Sequence, residues 1–124
     1  MKKVILVGYL LIALAFAGQT LAGKFGTRGC TASSTAWTIP NSSVTVLPPR
    51  GNRAGLVLSN ISSGIGANIF YRFDGVAVAS TNGIGLLQSS TTVYGENYKL
   101  TGATTAIFGG LGSGILVVTE CIYN

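Results

Sequence analysis

The chain has 124 residues, of which 48% are hydrophobic and only 9% are charged, and its formal net charge is +5 at pH 7. This length has room for one domain, and the low charge excludes a disordered polyelectrolyte. The chain contains no histidine, which excludes a Ser-His-Asp triad, a Cys-His pair and a histidine-ligated metal site. Serine, threonine, glycine and β-branched residues fill the body of the chain and favour strands over helices.

The first element in chain order is an apolar segment that follows two lysines. An uncharged run of 14 residues, 4–17, is followed by a short polar segment, 18–20. This is the order of a secretory signal peptide, and the small side chains of Thr20 and Ala22 predict cleavage after Ala22. The alternative is an uncleaved membrane anchor, because residues 4–22 as a helix would span roughly 28 Å of a bilayer core about 30 Å thick.

Two cysteines, Cys30 and Cys121, lie in residues 23–124, which we expect to be exported whether residues 1–22 are a leader or an anchor. An even number of cysteines in an oxidising compartment predicts one disulfide. It would join the first segment of the domain to its last strand. The alternative is a reactive thiol, but the chain has no histidine and few cations close to Cys30 in sequence to activate one.

Short apolar runs bounded by turn residues recur from residue 36 onward. Their period of two is typical of an antiparallel β-sandwich or a jelly-roll-like barrel, so we expect an all-β domain of about seven strands. Residues 23–35 are expected to be an extended lead-in, and the last run is apolar on both faces, which predicts a central strand. The seven runs are SSVTVLPP, AGLVLSNIS, ANIFYRFDG, GVAVAS, TTVYGENYKL, TAIFGG and GILVVTECIY.

Turn residues separate these runs. The Asp-Gly pair of FDGV and the Asn-Gly pair of TNGIG suit tight hairpins. FGGLGSG, residues 108–114, is the stretch most similar to a phosphate-binding loop, but a strand rather than a helix follows it, so we expect a hairpin loop. Asn41 and Asn60 match the N-glycosylation pattern and are interpreted as polar loop residues.

The mature domain would carry six basic and three acidic residues, a net charge of +3. Arg50, Arg53 and Arg72 are the candidate contacts for an anionic polymer, and the alternative is that they are solvated loop charges. No arginine-rich run or interleaving of basic and aromatic residues indicates specific recognition of nucleic acid.

Residues 53–123 have a layout that resembles a known group of proteins. It comprises R-x-x-L-V-L-x-N at 53–60, then NIFYRFDGVAV, NGIGLL and TTVYGENYKL, and it closes with ILVVTECIY, which contains Glu120. This is similar to small β-sandwich proteins of bacterial viruses that serve as capsid decoration, head-fibre or spike modules. The resemblance covers about 70 of the 124 residues.

The resemblance implies a β-sandwich that works through protein–protein contacts in a virion. Such proteins usually assemble in the cytoplasm without a leader or a disulfide. The leader here therefore indicates a virus with a lipid layer, assembly at a membrane, or a protein that is not viral.

We therefore expect an exported structural module, not an enzyme, with no cofactor or bound metal. It would form a homo-oligomer or assemble with other virion or surface proteins, and it would be attached to a membrane if residues 1–22 are retained. Phe70, Tyr94 and Tyr98 are candidate assembly contacts, the alternative for each being a core position. The second hypothesis is a secreted cationic module that binds an anionic cell-surface polymer.

Overall fold

The computed structural model describes residues 29–124, apart from the side chain of Glu96. The predicted leader or anchor, residues 1–22, lies outside the described residues. Among the described residues, no helix has the length and apolar character needed to cross a membrane.

The described part of the chain is an all-β domain, as the alternation predicts. It contains eight strands rather than about seven, and a single turn of 3-10 helix, Glu96–Tyr98, lies between the sixth and seventh strands. The strands are β1 (Cys30–Pro40), β2 (Val44–Leu47), β3 (Arg53–Asn60), β4 (Ile69–Arg72), β5 (Ile84–Leu86), β6 (Thr91–Tyr94), β7 (Thr104–Phe108) and β8 (Ser113–Tyr123).

The differences from the predicted strands have physical causes. GVAVAS is not a strand: Gly75 has a positive φ of 73°, and the Val76 carbonyl accepts a hydrogen bond from Thr105 Oγ1 at 2.7 Å, so this segment crosses the face of a sheet. Residues 30–35, predicted as part of an extended lead-in, form the first half of β1, and their exposure on both faces explains why they show no alternation of apolar and polar residues. β5 has only three residues, too few to show a period.

The strands form two antiparallel four-stranded sheets that pack against each other. Sheet A has the order β1-β8-β3-β6, and sheet B has the order β2-β7-β4-β5. This alternation of the chain between two four-stranded sheets is the arrangement of a jelly roll. β8 pairs with β1 on one side and with β3 on the other, which confirms the prediction that the last run is a central strand.

Two predicted turns differ from the structure in their connections. FDGV and TNGIG do not form two hairpins, because the Asp-Gly pair of one and the Asn-Gly pair of the other both lie in the single long β4–β5 loop, residues 73–83. FGGLGSG also does not close a hairpin: β7 belongs to sheet B and β8 to sheet A, so its glycines carry the chain from one sheet to the other. The sequence therefore predicted the positions of these loops correctly, but it did not predict which strands pair on either side of them.

The core lies between the sheets and is filled from alternate strand positions. On β4, Ile69 and Tyr71 are at most 1% exposed, whereas Phe70 and Arg72 lie half-buried on the opposite face, as the period of two predicts. A second, smaller cluster of buried residues contains Ala54, Val57 and Cys121. The other fully buried aliphatic residues of the main core are Ile39, Val46, Leu56, Leu58, Leu86, Leu116 and Val118.

β3 is an inner strand of sheet A, and its first and last residues lie at two opposite ends of the domain. Arg53 begins the strand at what we term the arginine end, near the last residues of β8 and the loop before β7. Asn60 finishes the strand at what we term the apolar end, where three loops meet, residues 61–68, 87–90 and 109–112.

Candidate functional site

Arg53 is the hub of the arginine end and has no exposed side-chain surface. Its Nε donates a hydrogen bond to Glu120 Oε1 at 2.7 Å. Its two terminal nitrogens donate to the carbonyls of Leu100 at 2.6 Å, Gly102 at 2.9 Å and Pro48 at 2.7 Å. The guanidinium therefore ties sheet A to the loops before β3 and β7. The prediction that Arg53 contacts an anionic partner is wrong, because this charge is buried and is held by four hydrogen bonds within the domain.

The other two candidate arginines have different surroundings. Arg50 has a side chain 45% exposed, and its Nε lies 3.6 Å from Glu120 Oε1. Arg72 forms a two-pronged ion pair with Asp74, which raises the pKa of Arg72 and, through the hydrogen bonds from Arg72, lowers the pKa of Asp74 to about 2. Among the three candidates, the structure thus leaves Arg50 as the most accessible cation and does not join them into one basic surface.

An open cleft of about 400 Å³ lies beside the Arg72–Asp74 pair and is also lined by Phe73, Asn82 and Ile84. Its carboxylate is already paired with an arginine, and none of its other lining side chains is a nucleophile. Among the described side chains, no three cysteine, aspartate or glutamate groups come together as metal ligands. The cleft is an open recess that contains one ion pair, whose two charges neutralise each other, and its lining side chains do not indicate a reaction.

The three candidate aromatic contacts also differ from one another. Tyr94 packs edge to face against Phe73 and Tyr98, and its hydroxyl shares a 2.5 Å hydrogen bond with that of Tyr71. Burial, followed by this hydrogen bond, raises the pKa of Tyr94 above its usual value. Since Tyr94 belongs to sheet A and Tyr71 to sheet B, Tyr94 joins the two sheets. Tyr98 is 62% exposed and stays available for contact.

Phe70 is occupied by packing within the domain. Its side chain lies against glycine backbone, so that a Cβ added at Gly83 would come within 2.9 Å of Phe70 Cβ and one added at Gly109 within 2.7 Å of the Phe70 ring. Only glycine fits at such an approach. Phe70 is therefore a packing residue on the outer face of sheet B rather than an exposed assembly contact.

The disulfide between Cys30 and Cys121 is present, with the two Cα atoms 5.6 Å apart. Cys30 lies opposite Tyr123 in the register of β1 and β8, so the bond crosses diagonally to Cys121. Cys121 is fully buried and packs in the second cluster with Ala54 and Val57. The disulfide thus fixes the start of β1 to the central strand of sheet A.

β1 is the longest edge strand and the least covered one. It pairs with β8 over eleven residues, from Cys30 opposite Tyr123 to Pro40 opposite Ser113, and its other edge meets no strand among the described residues. Residues 31–36 are exposed on both faces of the strand, and only near Trp37 and Ile39 does β1 reach the core. Six consecutive exposed residues in a strand mean that sheet B does not cover this part of sheet A.

Asn60 is the hub of the apolar end and is fully buried. Its Nδ2 donates to the carbonyls of Ala67 at 2.8 Å and Leu86 at 3.0 Å, and its Oδ1 accepts from the Ser62 amide at 3.0 Å. This corrects the interpretation of Asn60 as a polar loop residue. The amide side chain stands at the end of β3 and holds both the 61–68 loop and the end of β5.

Large aliphatic side chains project from the apolar end. Ile65 is 106% exposed and Leu111 is 101% exposed, and no charged residue occurs in any of the three loops. Backbone hydrogen bonds hold the 61–68 loop to its neighbours: the Ile61 amide donates to the Ile115 carbonyl of β8 at 3.1 Å, and the Gly109 amide donates to the Asn68 carbonyl at 2.9 Å. We term the exposed aliphatic set the apolar tip: Ile61, Ile65, Leu87, Leu111 and Ile115.

Sequence reasoning missed the roles of Arg53, Glu120 and Asn60, although all three belong to the layout that supported the family resemblance. The signal was present as polar residues within an otherwise apolar strand. Arg53 and Asn60 are seven positions apart, which would place them on opposite faces of a regular strand. An irregularity in the register between Arg53 and Gly55 changes the alternation, and both side chains are buried.

Comparison with known proteins identifies the fold and no family. No family model matches the chain, and no curated protein is significantly similar to it. The cupin domain of Schizosaccharomyces pombe Cnp3 is 8% identical, with a TM-score of 0.50 over 79% of this chain and 61% of that chain. A Klebsiella pneumoniae protein with a double-stranded β-helix domain is 13% identical, with a TM-score of 0.47 over 79% and 77%.

A third similar structure comes from Bacillus endospore appendages, described as a family of disulfide-linked pili. It is 11% identical, with a TM-score of 0.47 over 81% of this chain and 94% of that chain. The likeness to the Cnp3 cupin domain concerns the fold alone. The chain is an all-β domain of two antiparallel sheets, and its function has to be argued from its own surfaces.

Proposed function

We propose that this protein is an exported, non-catalytic structural module that assembles with further copies of itself through the open edge of β1. The observation that carries the proposal is that residues 31–36 of β1 are exposed on both faces as well as along one edge. An edge strand presents unpaired N–H and C=O groups that readily pair with another chain. A second copy adding its own strand there would extend sheet A.

Features that usually protect an edge strand are missing from most of β1. Proteins block edges with charged residues, proline, bulges or very short strands. β1 has eleven residues, contains no charged residue, carries its single proline at its last position, Pro40, and pairs with β8 without a register shift. The disulfide at Cys30 also holds the strand in an extended conformation, so little ordering is needed when a second strand docks.

Export is supported by the disulfide, since such bonds persist in oxidising compartments. The proposal of a virion component rests on the sequence resemblance. Jelly rolls occur in viral capsid proteins, lectins and cupins, so the fold is compatible with that role without selecting it. The alternative of a cationic binding module is weaker, because Arg53 is buried and Arg72 is paired with Asp74.

The test is the native molar mass, measured by light scattering over a range of protein concentrations. We expect mass to rise above that of one chain, and we expect the variant Ser33→Lys, which places a charge in the middle of the open edge, to lower it. Ser80→Lys is the matched control, because Ser80 is exposed in the β4–β5 loop and the change in charge is the same. A single-chain mass at every concentration, or equal effects of the two variants, would rule the proposal out.

A further inference from the structure

The apolar tip has a shape that most protein interfaces lack. Its two most prominent side chains stand singly between glycines, Ile65 within S-G-I-G and Leu111 within G-G-L-G. Because glycine has no side chain, nothing beside Ile65 or Leu111 covers it, and both exceed 100% of the reference exposure. Ile61, Leu87 and Ile115 widen the apolar area behind them, each more than 40% exposed. Exposed apolar patches of this kind mark contact sites with proteins or membranes.

We propose that the apolar tip inserts into the surface of a lipid bilayer, an activity beyond the assembly proposed above. Two projecting aliphatic knobs on flat glycine backbone need a partner that deforms around them. Liquid hydrocarbon does so, whereas a second copy placed tip to tip would set knob against knob. Protein interfaces are also enriched at their centres in Tyr, Trp, Met and Arg, and none of these residues occurs in the three loops.

Electrostatics favour the same partner. Charged groups are expensive to move into hydrocarbon, and residues 60–68, 87–90 and 109–116 contain none. Two amides behind the knobs are satisfied internally: the Ile115 amide donates to Ser62 Oγ at 2.8 Å, and the Ser62 amide donates to Asn60 Oδ1. The tip therefore approaches the acyl chains without breaking an ion pair, and it needs no anionic headgroup.

The position of the chain's start is consistent with this role. The described chain begins at Gly29 and Cys30, which lie at the arginine end, opposite the tip. If residues 1–22 are removed as a signal peptide, the tip is the domain's own means of attachment to a membrane.

The experiment uses the full chain in the form that exporting cells release, with the variant Leu111→Trp. Vesicles of zwitterionic phosphatidylcholine with brominated acyl chains quench tryptophan that reaches the hydrocarbon. We expect loss of the added emission, and recovery of that emission when Ile65→Ser is combined with Leu111→Trp. Val76→Trp is the matched control, because Val76 is 52% exposed on the β4–β5 loop away from the tip, and its emission should be unchanged.

Ile65 and Leu111 are fully exposed, so neither substitution removes core packing, and unfolding curves will verify that the fold is retained. Retention of residues 1–22 does not obscure the result, because Val76→Trp carries the same N-terminal residues, and quenching caused by them would also appear in this control. Absence of quenching in the Leu111→Trp protein overturns the proposal. It is also overturned if quenching requires anionic lipid and fades with salt, or if the emission responds to protein concentration and not to vesicles, which would indicate a protein contact.

Discussion

At each end of β3 a buried polar side chain holds the neighbouring loops in place, and the two side chains do so with different chemistry. At the arginine end, Arg53 uses a buried charge, with Glu120 as its counter-ion and three backbone carbonyls as further acceptors. At the apolar end, Asn60 organises the loops with a neutral amide and three hydrogen bonds. A charged hub is stable only with complete internal partners. A neutral hub leaves the surrounding loops free of charge, and aliphatic side chains can then face outward.

The two ends of the domain differ in what they contribute: the arginine end contributes mainly to stability, and the apolar end presents a surface for contact. The arginine end also holds the disulfide and the Tyr94 aromatic cluster, so it contains the strongest links between strands and sheets. The apolar end is held by hydrogen bonds and by the packing of Phe70 and Phe108 against its glycines, and it carries the most exposed aliphatic residues of the described chain. Substitutions at the first end should therefore change the free energy of unfolding most, and those at the second should also change the surface presented to partners.

The largest effect is expected for Arg53→Ala, which leaves the buried Glu120 with only the half-exposed Arg50, 3.6 Å away, as a counter-ion and leaves three carbonyls without their donor. Breaking a buried pair in this way costs about 3 to 5 kcal/mol of the free energy of unfolding. Denaturant unfolding measures the loss. Arg50→Ala is the matched control, since Arg50 is 45% exposed and lies 3.6 Å from Glu120, and exposed pairs contribute at most about 1 kcal/mol. Equal losses for the two variants would refute a hub at Arg53.

The next largest effect is expected for the double variant Cys30→Ser with Cys121→Ala. The disulfide links residues 91 positions apart, and a native disulfide typically contributes about 2 to 4 kcal/mol. The loss should be accompanied by faster hydrogen exchange at the start of β1, with no change in the loops of the apolar end. Faster exchange in the 61–68 loop would show that the two ends are not independent.

A smaller effect is expected for Asn60→Ala at the opposite end of β3. It leaves two carbonyls and one amide without their partner, and buried unsatisfied groups cost about 1 to 3 kcal/mol. Cleavage of the 61–68 loop by a protease should also become faster. Ser59→Ala is the neighbouring control: Ser59 bonds Thr91 at the exposed surface, so its removal should change stability by less than about 0.5 kcal/mol. A loop that stays protected in Asn60→Ala would contradict the role of Asn60.

The smallest effect is expected from alkaline titration of Tyr94. Its pKa is raised in the folded state, mainly by burial, so the neutral form stabilises the fold. This contribution is complete below the usual tyrosine pKa of about 10 and is lost as pH rises through the higher folded value. Stability should therefore fall above about pH 10, and less steeply in Tyr94→Phe than in Tyr98→Phe. Identical alkaline profiles for the two variants would contradict this assignment.

The period of two in the sequence identified the fold class, because the apolar residues that alternate along β4 and those that follow one another in β8 are the residues buried in the structure. Periodicity did not predict β1, because residues 31–36 are exposed on both faces and therefore do not alternate between apolar and polar. It wrongly predicted GVAVAS as a strand, because this segment is apolar where it packs on sheet B. The disulfide followed from the even number of cysteines together with the expected export to an oxidising compartment. The burial of both Arg53 and Asn60 depends on a register shift, and their hydrogen bonds depend on carbonyls that are distant in sequence. Neither the shift nor the distant carbonyls produce a recognisable pattern in the sequence around these residues.

Hydrogen exchange along β1 tests the central claim, assembly through its open edge, most directly. The account predicts that amides of residues 31–36 that face away from β8 exchange rapidly in dilute protein and become protected at concentrations where the mass rises. Ser33→Lys should remove that protection and Ser80→Lys should not. Equal exchange at all concentrations while the mass rises would place the contact elsewhere and contradict the account.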